Sequence, residues 1–79
     1  MKIEINYFAN LREERGIAHE TLETQAATPE ELYCELKQKY LFKLPVESLK
    51  VVINDIFVGW QTKLKSNDTV VFIPPFGGG

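Results

Sequence analysis

The chain closes on Pro74-Pro75-Phe76-Gly77-Gly78-Gly79, which sets a carboxylate at the end of a run without side chains. A carboxylate is a poor electrophile. Once activated as an acyl adenylate, it accepts sulfur to become a thiocarboxylate, or an amine to become an isopeptide. Glycine suits both reactions because it adds no bulk around the reacting carbonyl and lets other backbone approach closely. From Phe76 onward the thread reaches about 13 Å when fully extended. Pro74 and Pro75 stiffen its root as extended polyproline. A mobile, narrow tail over residues 76–79 is therefore expected, able to pass its end into another protein's active site. A frayed terminus or an expression scar has the same composition, so the remainder of the chain must decide.

No other residues assemble a self-sufficient active site. His19 has no second ligand or nucleophile at a matching spacing and reads as a surface strand residue. Cys34 falls opposite Leu32 and Leu36 on a helix and reads as half-exposed. No metal-ligand spacing is present, and no metal is expected. The single glycine run has no helix after it, which excludes a phosphate-cradling loop. Trp60 reads as a packing residue. The chemically special group is the Gly79 carboxylate, preceded by Gly78.

The totals bound what these groups can serve. Seventy-nine residues make one domain with a small core. A net charge of −2 with mixed signs argues against nucleic acid or an anionic membrane as main partner. One cysteine rules out an internal disulfide. Met1 leads into an alternating pattern rather than an apolar run, so neither a signal peptide nor a membrane span is expected, and a cytoplasmic location is.

The elements that must hold the tail follow from periodicity. Lys2 to Phe8 alternates and predicts a strand with Ile3, Ile5 and Tyr7 on one side. Residues 9–16 are polar and predict a loop or single helical turn anchored by Leu11. Gly16, Ile17 and Thr21 suggest a return strand over residues 17–24. Thr28-Pro29-Glu30-Glu31 is a helix start: a capping threonine, a proline preset for the first turn, and a capping-box glutamate. The helix runs to about Tyr40 with Leu32, Leu36 and Tyr40 at helical spacing and Tyr33 beside them. Val46 and Leu49 pin the following connection. Further strands are expected over 50–54, 56–58 and 69–73, with turns at Asn54-Asp55 and at residues 65–68. The order predicts an α+β domain over residues 1–75: a mixed sheet of about five strands with one main helix packed on one face. The last strand, apolar on both sides, should be central and parallel to the first.

One helix covers one face only. With Ile3, Ile5 and Tyr7 toward the helix, Phe8, Phe57, Val71 and Ile73 point to the other side. Unless residues 9–16 cover them or the sides are reversed, they form an exposed apolar patch near the tail's root, as protein–protein sites often do.

These features together resemble the small, sulfur-carrying subunits of molybdopterin synthase (MoaD/ThiS family) in the ubiquitin-like β-grasp superfamily. The resemblance runs the whole length. It rests on Tyr7-Phe8-Ala9-Asn10-Leu11-Arg12-Glu13, Thr28-Pro29-Glu30-Glu31-Leu32, Val52-Ile53-Asn54, Leu64-Lys65-Ser66-Asn67-Asp68-Thr69-Val70 and Phe72-Ile73-Pro74-Pro75-Phe76-Gly77-Gly78-Gly79. Ser66-Asn67 departs from a pattern that usually has glycine beside the aspartate, and asparagine tolerates the same left-handed geometry. The resemblance implies that an ATP-dependent adenylating enzyme activates the Gly79 carboxylate and a sulfur donor system converts it to a thiocarboxylate. The tail would then enter the large subunit and donate sulfur to cyclic pyranopterin monophosphate, building the molybdopterin dithiolene for the molybdenum cofactor. Two sulfurs require two such chains, in a heterotetramer with two large subunits that hold the substrate pocket. The small chain would be the sulfur-supplying subunit of an enzyme and bind no cofactor itself, ATP being used by the activating enzyme. Gly78 and Gly79 would be the reacting end, Phe8, Phe57 and Ile73 the docking face, and Arg12 a polar contact. Val71, Pro74, Pro75, Phe76 and Gly77 complete the expected interface.

Three other uses fit the same residues. Sulfur carriers of thiazole biosynthesis share the fold and the thiocarboxylate but are usually shorter. A ubiquitin-like modifier would end in an isopeptide and give higher-mass conjugates. A plain binding module would keep its activity after deletion of Gly79.

Overall fold

The computed structural model describes residues 1–75. The expected tail, Phe76 to Gly79, lies outside the described residues. The alternation from Lys2 forms β1 (Lys2–Tyr7), which buries Ile3, Ile5 and Tyr7 and turns Lys2, Glu4 and Asn6 away. It stops one residue short of the expected Phe8. There the chain leaves the ladder for a helix, α1 (Ala9–Arg15), with Phe8 as its extended N-cap.

The segment expected as a loop or single turn is thus a seven-residue helix. Its residues are mostly good helix formers, and Leu11 anchors it fully buried in the core. Gly16 at φ 86° closes it, its N–H donating to the Arg12 carbonyl at 2.8 Å. With only one core-facing position, α1 leaves no periodic trace in the sequence.

The return strand is β2 (His19–Glu23), shorter at both ends than expected. Residues 16–18 form a bend. Thr24 turns inward, its hydroxyl accepting from the Ala26 N–H at 3.0 Å and donating to Glu35 Oε1 at 2.8 Å.

The main helix, α2 (Pro29–Tyr40), starts where its sequence indicates. The Glu31 N–H donates to Thr28 Oγ1 at 3.3 Å. The reciprocal half of the box is shifted: Glu31 Oε1 accepts from the Ala27 N–H at 2.8 Å rather than from Thr28. After a 3-10 turn (Val46–Ser48) come β3 (Lys50–Ile53), β4 (Ile56–Val58) and β5 (Thr69–Ile73).

The five strands form one sheet in the order β2-β1-β5-β3-β4. The central pair β1 and β5 is parallel, with Tyr7 beside Phe72 and Asn6 beside Val71, and the other pairings are antiparallel. The core lies between the sheet and α2, where Leu32, Tyr33 and Leu36 meet Ile5, Val51, Val70 and Phe72. Burying each such aliphatic or phenyl side chain contributes about 1.5–3 kcal/mol. Phe42, unremarked in the sequence, completes an aromatic cluster: it stacks on Tyr33 at 6.1 Å and meets Tyr7 edge-on at 5.8 Å. Trp60 stacks on Phe72 at 5.9 Å, a packing role.

At one end of the sheet, two turns are clipped together. Asn54 and Asp55 take φ of 51° and 72°, and Asn67 takes 72°, the left-handed geometry asparagine and aspartate tolerate best after glycine. Asp68 accepts from Asn54 Nδ2 at 2.9 Å and from the Lys65 N–H at 2.8 Å. Asn54 Oδ1 accepts from the Thr69 N–H at 3.0 Å. This clip fixes where β5 starts, and therefore where it releases the chain at the opposite end.

Candidate docking face at the exit of the last strand

Among the described residues, no helix lies on the outer face of the sheet. Register places Asn6, Val71, Val52 and Phe57 in one row across four strands. One step along the central strands stand Phe8 and Ile73. Phe8 is 47% exposed and Phe57 65% exposed, and Val52, Val71 and Ile73 are half-buried. The other half of the face is polar, with Lys2, Glu4, Thr21, Glu23 and Thr69. The apolar half is the half from which β5 releases the chain.

The residues expected at the interface divide into groups. Phe8, Phe57, Val71 and Ile73 share the outer face. Arg12 is exposed on α1 and Pro75 is exposed beyond β5. Pro74 is instead fully buried. Its side chain offers no surface; it ends the ladder and fixes the direction in which the chain leaves. Phe76, Gly77, Gly78 and Gly79 lie outside the described residues.

A groove of about 500 Å³ adjoins Phe57, lined by Leu49, Lys50, Val51, Val58 and Trp60. His19 is exposed at the start of the edge strand β2, and Cys34 is exposed on α2. Among the described residues, no group of three His, Cys, Asp or Glu side chains is placed to hold a metal ion. Nor is any helix among them long and apolar enough to cross a membrane.

On the other side of the sheet, a charged cluster ties α1 to β2. Arg15 donates from Nε and Nη2 to Glu20 Oε2 and Oε1 at 3.0 and 2.9 Å, and the Tyr7 hydroxyl donates to Glu20 Oε2 at 2.6 Å. The Arg15 fork holds the Glu20 carboxyl below the usual carboxylate range, partly opposed by burial and aided by Tyr7. Burial, then the neighbouring carboxylate, pushes the Tyr7 hydroxyl well up. Burial also pushes the Tyr33 hydroxyl up to about 12, where it donates to the Leu44 carbonyl at 2.6 Å.

The profile of the ThiS family matches residues 5–79, from the first strand through the terminal glycines. The chain belongs to the ThiS family. No curated protein sequence matches it. Solved structures do. A Pyrococcus furiosus protein assigned as molybdopterin converting factor, subunit 1, is 26% identical with a TM-score of 0.76, over 95% of this chain and 98% of that one. Small archaeal modifier protein 1 from Methanosarcina acetivorans is 24% identical with a TM-score of 0.79, over 99% and 96%. A complex of subunits 1 and 2 of molybdopterin-converting factor from Helicobacter pylori contains a chain 24% identical, with a TM-score of 0.70 over the whole of both. The mixed five-stranded sheet with α2 across one face is the ubiquitin-like β-grasp of these proteins.

In this ThiS-family chain, sequence reasoning missed two exposed or half-exposed apolar positions. Val52 lies between Val71 and Phe57 in the outer row. The signal was present in Val51-Val52-Ile53, which is apolar on both sides just as the last strand is. Ile56 sits on the helix side of the sheet but is 65% exposed, on the edge strand β4.

Proposed function

We propose that this chain is the small, sulfur-supplying subunit of molybdopterin synthase. The observation that carries the reading is the apolar cluster of exposed Phe8 and Phe57 with half-buried Val71 and Ile73 at the end of the sheet where β5 releases the chain toward the terminal glycines. The ThiS-family match through residue 79 and the likeness to molybdopterin converting factor subunit 1 support it. The Gly79 carboxylate attacks the α-phosphate of ATP on an adenylating enzyme, releasing pyrophosphate. A sulfur nucleophile at the oxidation level of sulfide displaces AMP, leaving the thiocarboxylate. The large subunit covers the apolar face and receives the tail. There the thiocarboxylate sulfur bonds to a side-chain carbon of cyclic pyranopterin monophosphate as that carbon's bond to oxygen breaks, the oxygen leaving on the phosphate or as water, and a further water cleaves the acyl–sulfur bond to restore the carboxylate. Two carriers serve each pterin, in keeping with a heterotetramer. The chain itself binds no cofactor on this reading and works in the cytoplasm.

A second reading, a ubiquitin-like modifier, is favoured by the fit to small archaeal modifier protein 1. Both use the same activated glycine and differ in the acceptor. The experiment is intact-mass measurement of the chain after incubation with ATP, an adenylating enzyme of the same cell and a sulfide source, followed by addition of large subunit and pterin. A mass gain of one sulfur-for-oxygen exchange at Gly79, discharged by the large subunit with the pterin, is the expected result. Charging followed only by conjugates to lysine identifies a modifier. No charging, where a known carrier is charged, overturns both readings.

A further inference from the structure

We propose that Glu20 and Arg15 are positioning residues for the docking face: their fork, tied to Tyr7 and backed by Tyr40, holds α1 in place and with it Phe8 and Arg12. The inference rests on the reading above, in which Phe8 meets the large subunit.

Among the described residues, few ties besides the buried Leu11 hold α1. Helices of its length do not persist by themselves, and α1 has seven residues. Phe8 supplies no side-chain cap. Ala9 takes φ 49°, a left-handed conformation that costs a residue with a Cβ. Leu11 is the one buried side chain. Besides the Leu11 anchor, the helix is restrained at its far end. Arg15 grips Glu20 with both arms of the guanidinium, and its Cζ lies 4.0 Å above the Tyr40 ring. Glu14 adds a weaker tie, Oε1 accepting from the Lys43 N–H at 3.2 Å. A bidentate, stacked arginine of this kind is not replaceable by lysine. Because Phe8 is the residue from which α1 departs, loosening α1 frees Phe8 from its place beside Ile73.

The charged and titratable groups facing Glu20 are Tyr7 from β1, Arg15 from α1 and Lys39 from α2, with Tyr40 of α2 lying under the Arg15 guanidinium. Arg15, Tyr7 and Lys39 each favour the carboxylate. The folded value is thus depressed, and the fork is complete above the unfolded carboxylate range. It is lost as pH falls through the folded value, where a protonated Glu20 no longer accepts both arms.

The test uses the full chain in two measurements: amide hydrogen exchange, and affinity for the purified large subunit of the same cell. In Glu20→Gln, exchange over residues 9–15 should quicken by about tenfold or more, while β1 and β5 change by less than about twofold. Affinity should fall by about tenfold. Corrected for the pH dependence of intrinsic exchange, wild-type protection in α1 should fall on acidification toward that of the variant, whose own protection changes less through the same range. Arg15→Lys should behave like Glu20→Gln. Arg15→Gln, which keeps the Tyr7–Glu20 bond, serves if Glu20→Gln does not fold. Unchanged α1 exchange in the variant overturns the latch, even where Phe8→Ala weakens binding. Faster α1 exchange with unchanged affinity overturns the positioning role. Unchanged affinity in Phe8→Ala overturns the docking reading, and the positioning role with it.

Discussion

Phe57 shows how one residue can be legible in sequence and yet contribute little to the fold. It is 65% exposed on an edge strand, opposite the half-buried Val52. Its ring meets water where a strand of a stable monomer would ordinarily carry a polar group. The sequence reveals it because it breaks the alternation of Ile56 and Val58, just as Phe8 breaks the polar side of β1. Val52 escaped notice because one more valine in an apolar run breaks no pattern. Pro74 is half-legible for the opposite reason: its backbone role at the end of the ladder is clear in the sequence, and its burial is not. On the docking reading, Phe57→Asp should leave the thermal unfolding midpoint nearly unchanged, since little buried area is lost. It should weaken large-subunit binding by about 30-fold or more, because an unpaired carboxylate would have to be desolvated at the interface. Titration of the two purified chains reads this directly, and an unchanged affinity would remove Phe57 from the interface.

At the scale of elements, what the sequence disclosed depended on how many positions of each element face the core. α2 places Leu32, Tyr33 and Leu36 inward and carries its own start signal, so its start is readable to the residue and its end approximately. β5, apolar on both sides, announced itself as a central strand. α1 buries only Leu11, and no periodicity could distinguish it from a loop. β2 has no strongly buried residue at all, which is why its ends were misplaced. Chain reversals were legible where their chemistry is specific, at Asn54-Asp55 and Asn67, and illegible at the end of α2. There Leu41 takes φ 59° with its side chain 79% exposed. A leucine in this position bears the left-handed penalty without burial to offset it, where glycine is the common choice. Leu41→Gly should stabilise the chain by about 1 kcal/mol after allowing for the added freedom of the unfolded state. For a domain of this size that raises the unfolding midpoint by roughly 4–8 °C, measurable by circular dichroism. A lowered midpoint would mean that the Leu41 side chain contributes in the folded state more than its exposure suggests.

The whole molecule separates stability from chemistry along the length of its sheet. One end is closed by the Asn54–Asp68 clip, which sets the register of β5. The other end carries Phe8, Ile73 and the buried Pro74, and releases the chain beyond Pro75. Among the described residues, the core between them is built from Ile3 through Phe72. Chemistry on the sulfur-carrier reading is confined to the last carboxylate. An alteration at the terminus should therefore be invisible to folding and decisive for activity. Adding a single alanine after Gly79 moves the carboxylate one residue, about 3.5 Å, further from the docked domain and places a Cβ beside it. The extended chain should unfold at the same temperature and bind the large subunit with affinity within about threefold, since the apolar face is untouched. It should form no functional thiocarboxylate, so that pterin conversion by the reconstituted complex falls to background. Activity retained by the extended chain would mean that the free carboxylate at Gly79 is not the reacting group. Loss of binding together with activity would place part of the docking energy in the tail itself rather than on the sheet face.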